Sequence, residues 1–197
     1  MTIFRSLKQF FSIIARRLRE QGWRTTFAWF RTVGLAWVTG RLSLQFSHVT
    51  PNILLGPQFG RYGKQKLENM GVTASVSMRA EYDDAAFGLD MPQYHYIPTE
   101  DNTAPTIEDL QSGVAFIKEI IEDEGIVYVH CGSGVGRAPT MVAAYLISEG
   151  NSVDNAIAQI TEARPFIRIL PPQVERLKEF QEMVNAPESL SATPESA

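Results

Sequence analysis

The chain holds one cysteine, Cys131, and six positions later an arginine, Arg137, inside the run "VYVHCGSGVGRAPTMVAAYLI" (residues 127–147). Gly132, Gly134 and Gly136 stand between the two. Glycines let a backbone curl tightly enough to turn successive N–H groups to one side. The apolar segment after Arg137 reads as a helix, whose positive N-terminal end would aim at the same hollow. A ring made of the amides of Gly132, Ser133, Gly134, Val135, Gly136 and Arg137 suits a tetrahedral phosphate. The Arg137 guanidinium closes it, because it grips two oxygens at once where an ammonium cannot. The donors that hold phosphate also favour a thiolate at Cys131. The outcome is a sulfur nucleophile facing a bound phosphorus atom. A lone cysteine is most often a small buried hydrophobe. That reading accounts for neither the three glycines nor the arginine.

Other chemistries are poorly served. One cysteine in 197 residues excludes an internal disulfide framework and a zinc–cysteine cluster. His48, His95 and His130 are scattered without metal-ligand spacing.

The elements that must position the turn follow from pattern. "IVYVH" (126–130) is a short apolar strand of the buried kind, and α/β proteins place ligand sites beyond such strand ends. "NILLG" (52–56), "VTASVSM" (72–78) and "YHYIP" (94–98) are further strands. Helices are expected over 60–70, ending at Gly71, and from Thr106 to about Asp123, with Glu108 and Asp109 in the first turn. Others follow at about 138–149, 153–163 and 172–184. Strands alternating with helices predict an α/β domain with a central, mostly parallel sheet of four to five strands flanked by helices. The expected organisation is a basic helical extension (1–45), a catalytic domain (46–184) and a disordered tail (185–197).

The net charge of −4 hides a division. Residues 1–41 carry eight Lys and Arg against Glu20 alone, a net +7, which leaves −11 for the remainder. Residues 3–19 pattern as an amphipathic helix that Gly22 would stop, and 23–38 hold all three tryptophans. Arginines interrupt this region, so a membrane span is not expected. Basic residues opposite aromatic ones fit either peripheral contact of residues 1–40 with a membrane surface or a helical pair packed on the main domain. The expected location is cytoplasmic, at a membrane surface, with organelle targeting the alternative for a eukaryotic source. A nucleic-acid partner is not expected.

The run "HCGSGVGRAPT", with its Cys-x5-Arg spacing after His130, resembles the signature of the cysteine-based protein tyrosine phosphatase superfamily, and within it the dual-specificity phosphatases. "HVTPNILLG" is similar to that family's opening strand and "YIPTEDNTAPT" to its general-acid loop. The resemblance covers roughly residues 47–184. It implies catalysis through a cysteinyl-phosphate, with Cys131 as nucleophile, Arg137 holding the phosphoryl oxygens and His130 orienting the loop. Asp101, thirty residues before Cys131, falls where the family carries its general acid, and Glu100 is the neighbouring alternative. No metal and no cofactor is implied. Most dual-specificity enzymes carry a serine or threonine after the arginine; here Ala138 stands there, as in the phosphatase of regenerating liver branch. Slow breakdown of the phosphoenzyme is therefore expected, with Thr140 as a partial substitute or a packed helical residue.

His95 is expected to be packed or hydrogen-bonded, Asp83 and Asp84 to cap a turn, and Gln173 to begin the last helix. Arg164 and Arg168 are expected to be structural, a second substrate phosphate being the alternative. The variable loop positions Gly132, Ser133, Val135 and Gly136 are uncharged, which disfavours a highly phosphorylated inositol ring. The implied function is a dual-specificity protein phosphatase acting on phosphoproteins. The alternatives are a membrane-associated phosphatase of a phospholipid, such as phosphatidylglycerophosphate or a phosphoinositide, and a phosphate-binding pseudophosphatase.

Overall fold

The structure is a computed structural model that describes residues 2–30 and 45–186. Five strands form one sheet: β1 (Ser47–Thr50), β2 (Ile53–Pro57), β3 (Val72–Ser77), β4 (Gln93–Tyr96) and β5 (Ile126–Cys131). Their spatial order is β1-β2-β5-β3-β4. β1 runs antiparallel to β2, and every other pairing is parallel. The expected four to five mostly parallel strands are present. The antiparallel β1 hairpin was not separated from β2 by pattern, because Pro51 and Asn52 make so short a turn.

β5 sits at the centre, and its alternation explains why. Val127, Val129 and Cys131 face one core with Leu110, Ile117, Val142, Ile160, Leu177 and Phe180. Tyr128 faces a second, smaller core with Leu54, Phe59, Leu67 and Met91. Each fully buried aliphatic side chain contributes about 1.5–3 kcal/mol. With both faces covered, β5 is fixed in register, and its C-terminal residue is fixed with it.

The larger core lies under α3 (Ile107–Glu122), α4 (Arg137–Ser148), α5 (Val153–Ala163) and α6 (Pro171–Asn185). On the other face lies α2 (Arg61–Asn69), closed by Gly71 at φ +85°. The Thr106 hydroxyl caps α3 by accepting from the Asp109 N–H at 3.0 Å, and the Asp109 carboxylate accepts from the Thr106 N–H at 3.0 Å. That reciprocal pair explains why the helix starts where its acidic first turn predicts. α4 is buried along eleven of its twelve residues, which its small apolar sequence permits.

α1 (Thr2–Trp29) is two helices that meet across a kink. Gly22, at φ 77° and ψ 170°, leaves helical geometry, yet the chain resumes as helix beyond it. The glycine ends the first helix, as its position predicts, and a second helix starts beyond the kink. The rest of the 23–38 segment from residue 31 onward, and the tail from 187, lie outside the described residues.

Candidate active site

The run from Cys131 to Arg137 joins the end of β5 to the start of α4. Its carbonyls show how it is held. The Gly132 carbonyl accepts from the Gln58 N–H (3.3 Å) and the Val135 carbonyl from the Arg168 N–H (2.7 Å). The Gly134 carbonyl accepts from Arg164 Nε (2.8 Å) and the Ser133 carbonyl from Arg164 Nη2 (3.3 Å). The Gly136 carbonyl accepts from the Thr140 N–H and hydroxyl, each at 3.0 Å. Five consecutive carbonyls are thus taken by donors around the loop. In a trans peptide the N–H points opposite its carbonyl. The amides of residues 133–137 are therefore turned to the other side, and one of them is caught there: the Gly134 N–H lies 3.3 Å from Cys131 Sγ. Gly134 takes φ +64°, and a side chain there would run into the Gly56 backbone. This position needs glycine on both counts.

Cys131 is buried, and Arg137 is 4% exposed beside it. Two neighbouring segments, 78–81 and 99–101, hold the guanidinium. Nη1 donates to the carbonyls of Thr99 (2.8 Å) and Met78 (3.3 Å). Glu81 takes the Nη1–Nη2 edge with both oxygens, at 2.8 and 3.1 Å. Asp101 Oδ1 stands 3.3 Å from Nη2. Nε is buried and has no hydrogen-bond partner among the described residues. Burial is the largest influence on this guanidinium and opposes its charge. Glu81, with the negative charges of Cys131 and Asp101, outweighs burial and raises its pKa. Arg137 in turn pulls the Glu81 carboxyl down to about 2 through their hydrogen bonds. A buried cation with one donor free, beside inward amides and a sulfur, is a site for an anion.

Asp101 is brought to the loop as expected. Its side chain is 71% exposed, and the Asn102 amide donates to its Oδ2 at 3.0 Å. Glu100 is exposed, and it is Asp101, not Glu100, that meets Arg137. Gln173, at the first turn of α6, is buried and links three parts. Its amide donates to the Thr103 carbonyl of the Asp101 loop at 2.8 Å, and its Oε1 accepts from the Leu170 N–H at 2.8 Å. A side chain at Gly136 would meet it at 3.6 Å.

His130 points into the smaller core, against Phe59 and Tyr128. Its Nε2 lies 2.8 Å from Asp84 Oδ2, a close contact outside hydrogen-bond geometry, and both side chains are fully buried. Asp84 Oδ1 accepts from Gln58 Nε2 at 2.6 Å. Asp83 does cap its turn, accepting from the Ala85 N–H at 3.1 Å. Asp84 opens the same turn through its carbonyl, which accepts from the Phe87 and Leu89 N–H groups, but its side chain turns inward to His130 instead of capping. His95 is packed and bonded as expected, against Phe116 and 2.7 Å from the Ser112 hydroxyl. Arg164 and Arg168 are structural: the first clamps loop carbonyls, and the second pairs with Glu20 at 3.4 Å.

Ala138 and Thr140 are fully buried, and the Thr140 hydroxyl is committed to the Gly136 carbonyl. Sequence reasoning missed Glu81 and Gln58. The only signal was the acidic run at 81–84, and nothing local says which acid folds back onto an arginine 56 positions away. Among the described residues, no group of three or more His, Cys, Asp or Glu is placed to hold a metal ion.

The family described as "Dual specificity phosphatase, catalytic domain" matches residues 54–183. The chain is 31% identical over 160 residues to the Homo sapiens protein "Phosphatidylglycerophosphatase and protein-tyrosine phosphatase 1", covering 76% of this chain and 80% of that protein. It is 29% identical over 141 residues to the Homo sapiens protein "Dual specificity protein phosphatase 1", covering 71% of this chain and 38% of that one. Among solved structures, PTPMT1 in complex with PI(5)P superposes with TM-score 0.65 at 29% identity, over 71% of this chain and 96% of that one.

Proposed function

We propose, from the premise that this chain belongs to the dual-specificity phosphatase family and is a cysteine-dependent phosphatase, that it hydrolyses a lipid phosphomonoester of the phosphatidylglycerophosphate kind. In the proposed reaction, the Cys131 thiolate attacks phosphorus and the ester P–O bond breaks. Asp101 passes its proton to the departing alcohol oxygen. Water then attacks the cysteinyl-phosphate, Asp101 takes the proton from that water, the S–P bond breaks and the thiolate is regenerated. The amides of residues 133–137, with Nε and Nη2 of Arg137, carry the equatorial charge in both steps. His130 and Asp84 support the loop from behind.

The observation that carries the phosphoryl chemistry is the carbonyl accounting. Five outward carbonyls leave five inward amides, one of them already on Sγ. Two features support the lipid class. The loop's side chains are uncharged, which suits a single phosphomonoester rather than a highly phosphorylated ring, and the relative named above as a phosphatidylglycerophosphatase aligns over three quarters of the chain. That relative's name also carries protein-tyrosine phosphatase, and a protein substrate is the second reading. The test is a side-by-side assay of detergent-dispersed phosphatidylglycerophosphate, phosphoinositides and phosphotyrosine peptides. The proposal predicts the highest kcat/KM on phosphatidylglycerophosphate, lost in Cys131→Ser. Turnover of phosphopeptides alone would reject the lipid assignment.

A further inference from the structure

Between Arg17 and Phe27, α1 is docked with polar side chains inward and aromatic ones outward. The described side chains that it buries or half-buries against the catalytic body include Arg17 and Gln21, and they bond backbone. Arg17 donates to the Phe166 carbonyl (3.3 Å) and Gln21 to the Ile167 carbonyl (3.0 Å), while Glu20 pairs with Arg168. Three of its described apolar residues face outward: Leu18 is 47% exposed, Trp23 67% and Phe27 59%, while Ile14 is half-buried. Trp23 and Phe27, four apart beyond the Gly22 kink, share one face. The exposed basic residues Arg16, Arg19 and Arg24 lie among them, and the Arg24 guanidinium sits 5.4 Å from the Trp23 ring. A helix folding only for stability would bury Trp and Phe and expose Arg and Gln.

The docking point matters as much as the polarity. Phe166, Ile167 and Arg168 belong to the loop between α5 and α6. That loop touches the Cys131–Arg137 turn directly, through the Arg168 N–H on the Val135 carbonyl and Arg164 on the Gly134 carbonyl. Two short links therefore join α1 to the phosphate cradle.

We propose that α1 seats the catalytic mouth on an anionic bilayer, its aromatic and basic side in the interface and its Arg17–Gln21 side clamped to the loop that holds the phosphate cradle. Charge complementarity selects this occupant, since residues 1–41 carry a net +7. No helix among the described residues is long and apolar enough to cross a membrane, so the contact is with the surface. The proposal deepens the lipid reading above, but its test is separable from it.

The full chain is sedimented with vesicles of phosphatidylcholine alone and of phosphatidylcholine with phosphatidylglycerol. The expected result is preferential, salt-sensitive binding to the anionic vesicles. W23S/F27S should weaken it roughly tenfold or more, with hydrolysis of a soluble aryl phosphate unchanged. R17A/Q21A should keep vesicle binding, yet turn over a vesicle-borne lipid phosphomonoester less well relative to the same lipid dispersed in detergent. Equal binding to both vesicles, binding unaffected by W23S/F27S, or undiminished vesicle turnover by R17A/Q21A would overturn the proposal. So would loss of stability in W23S/F27S, which would assign the face to the chain's own residues 31–44. Self-association abolished by that variant, without vesicle binding, would overturn it as well and assign the face to a second copy. Failure of the substrate reading shows separately, as absent turnover in detergent, where the membrane plays no part.

Discussion

Replacing Arg164 by methionine tests how the phosphate loop is held. Arg164 is 1% exposed. It donates to the carbonyls of Gly134, Ser133 and Gln45 and stacks 4.4 Å over the Phe166 ring. Burial lowers its pKa to about 10, so it remains charged at neutral pH. Methionine keeps the apolar stem and removes the donors. Each loop carbonyl left unpaired then costs about 1–3 kcal/mol. The two together, roughly 2–6 kcal/mol, are relieved by flipping their peptide planes so that the carbonyls turn toward the cradle. The Ser133 carbonyl shares a plane with the Gly134 N–H, and the Gly134 carbonyl with the Val135 N–H. Rotation therefore withdraws two of the five inward amides, including the one on Cys131 Sγ. Losing one preorganised donor costs about 10²–10³ in kcat, so kcat/KM of Arg164→Met should fall at least about 10². Two companion readouts separate loop orientation from general weakening. Vanadate inhibition should weaken in parallel. Alkylation by iodoacetamide, which reads Cys131 alone because no other cysteine exists, should slow at fixed pH. Arg164→Lys, reaching one carbonyl instead of two, should fall between. A folded Arg164→Met protein with native kcat/KM and native alkylation would refute the reasoning.

Ala138→Ser should shorten the life of the phosphoenzyme, raising steady-state turnover about tenfold, the worth of one hydrogen bond to a charged sulfur; rapid-quench burst kinetics measure it, and an unchanged burst-to-steady-state ratio would count against it. Gly134→Ala should abolish activity with little loss of secondary structure, because φ +64° and the Gly56 backbone leave no room for a methyl group; circular dichroism beside an aryl phosphate assay checks both halves. Glu81 has a folded pKa of about 2 against an ordinary 4.5, so its stabilisation is present above about 4.5 and lost as pH falls toward 2. The unfolding free energy of Glu81→Gln from urea titration should accordingly sit below the native one at neutral pH, by no more than about 1 kcal/mol for so exposed a carboxylate, and the two should converge by about pH 2.

What the sequence showed and what it hid divide along chain distance. The β5–loop–α4 unit was readable because strand, glycines and helix are consecutive, and each obeys a local rule. The Thr106 cap was readable for the same reason. Asp101 was placed through resemblance, since no local rule singles it out from Glu100. The Glu81 fork, the Asp84–His130 contact and the Gln173 bridge were not readable, because each joins residues far apart in the chain through side-chain directions that only packing sets. Arg164 was correctly given a structural part, but the carbonyls that it holds could not be named. The Gly22 stop was readable for the same reason: a local rule applied, and the first helix of α1 ends there before a second begins.

The central claim is that outward carbonyls leave a ring of amides and one guanidinium edge to hold a phosphoryl group against Cys131 Sγ. A crystal structure of the full chain with vanadate tests it most directly. The account predicts vanadium bonded to Cys131 Sγ, its equatorial oxygens on the amides of residues 133–137 and on Nε and Nη2 of Arg137, with Glu81 still on the Nη1 side. Vanadate bound elsewhere, or bound at the loop without contact to Sγ and Nε, would contradict it.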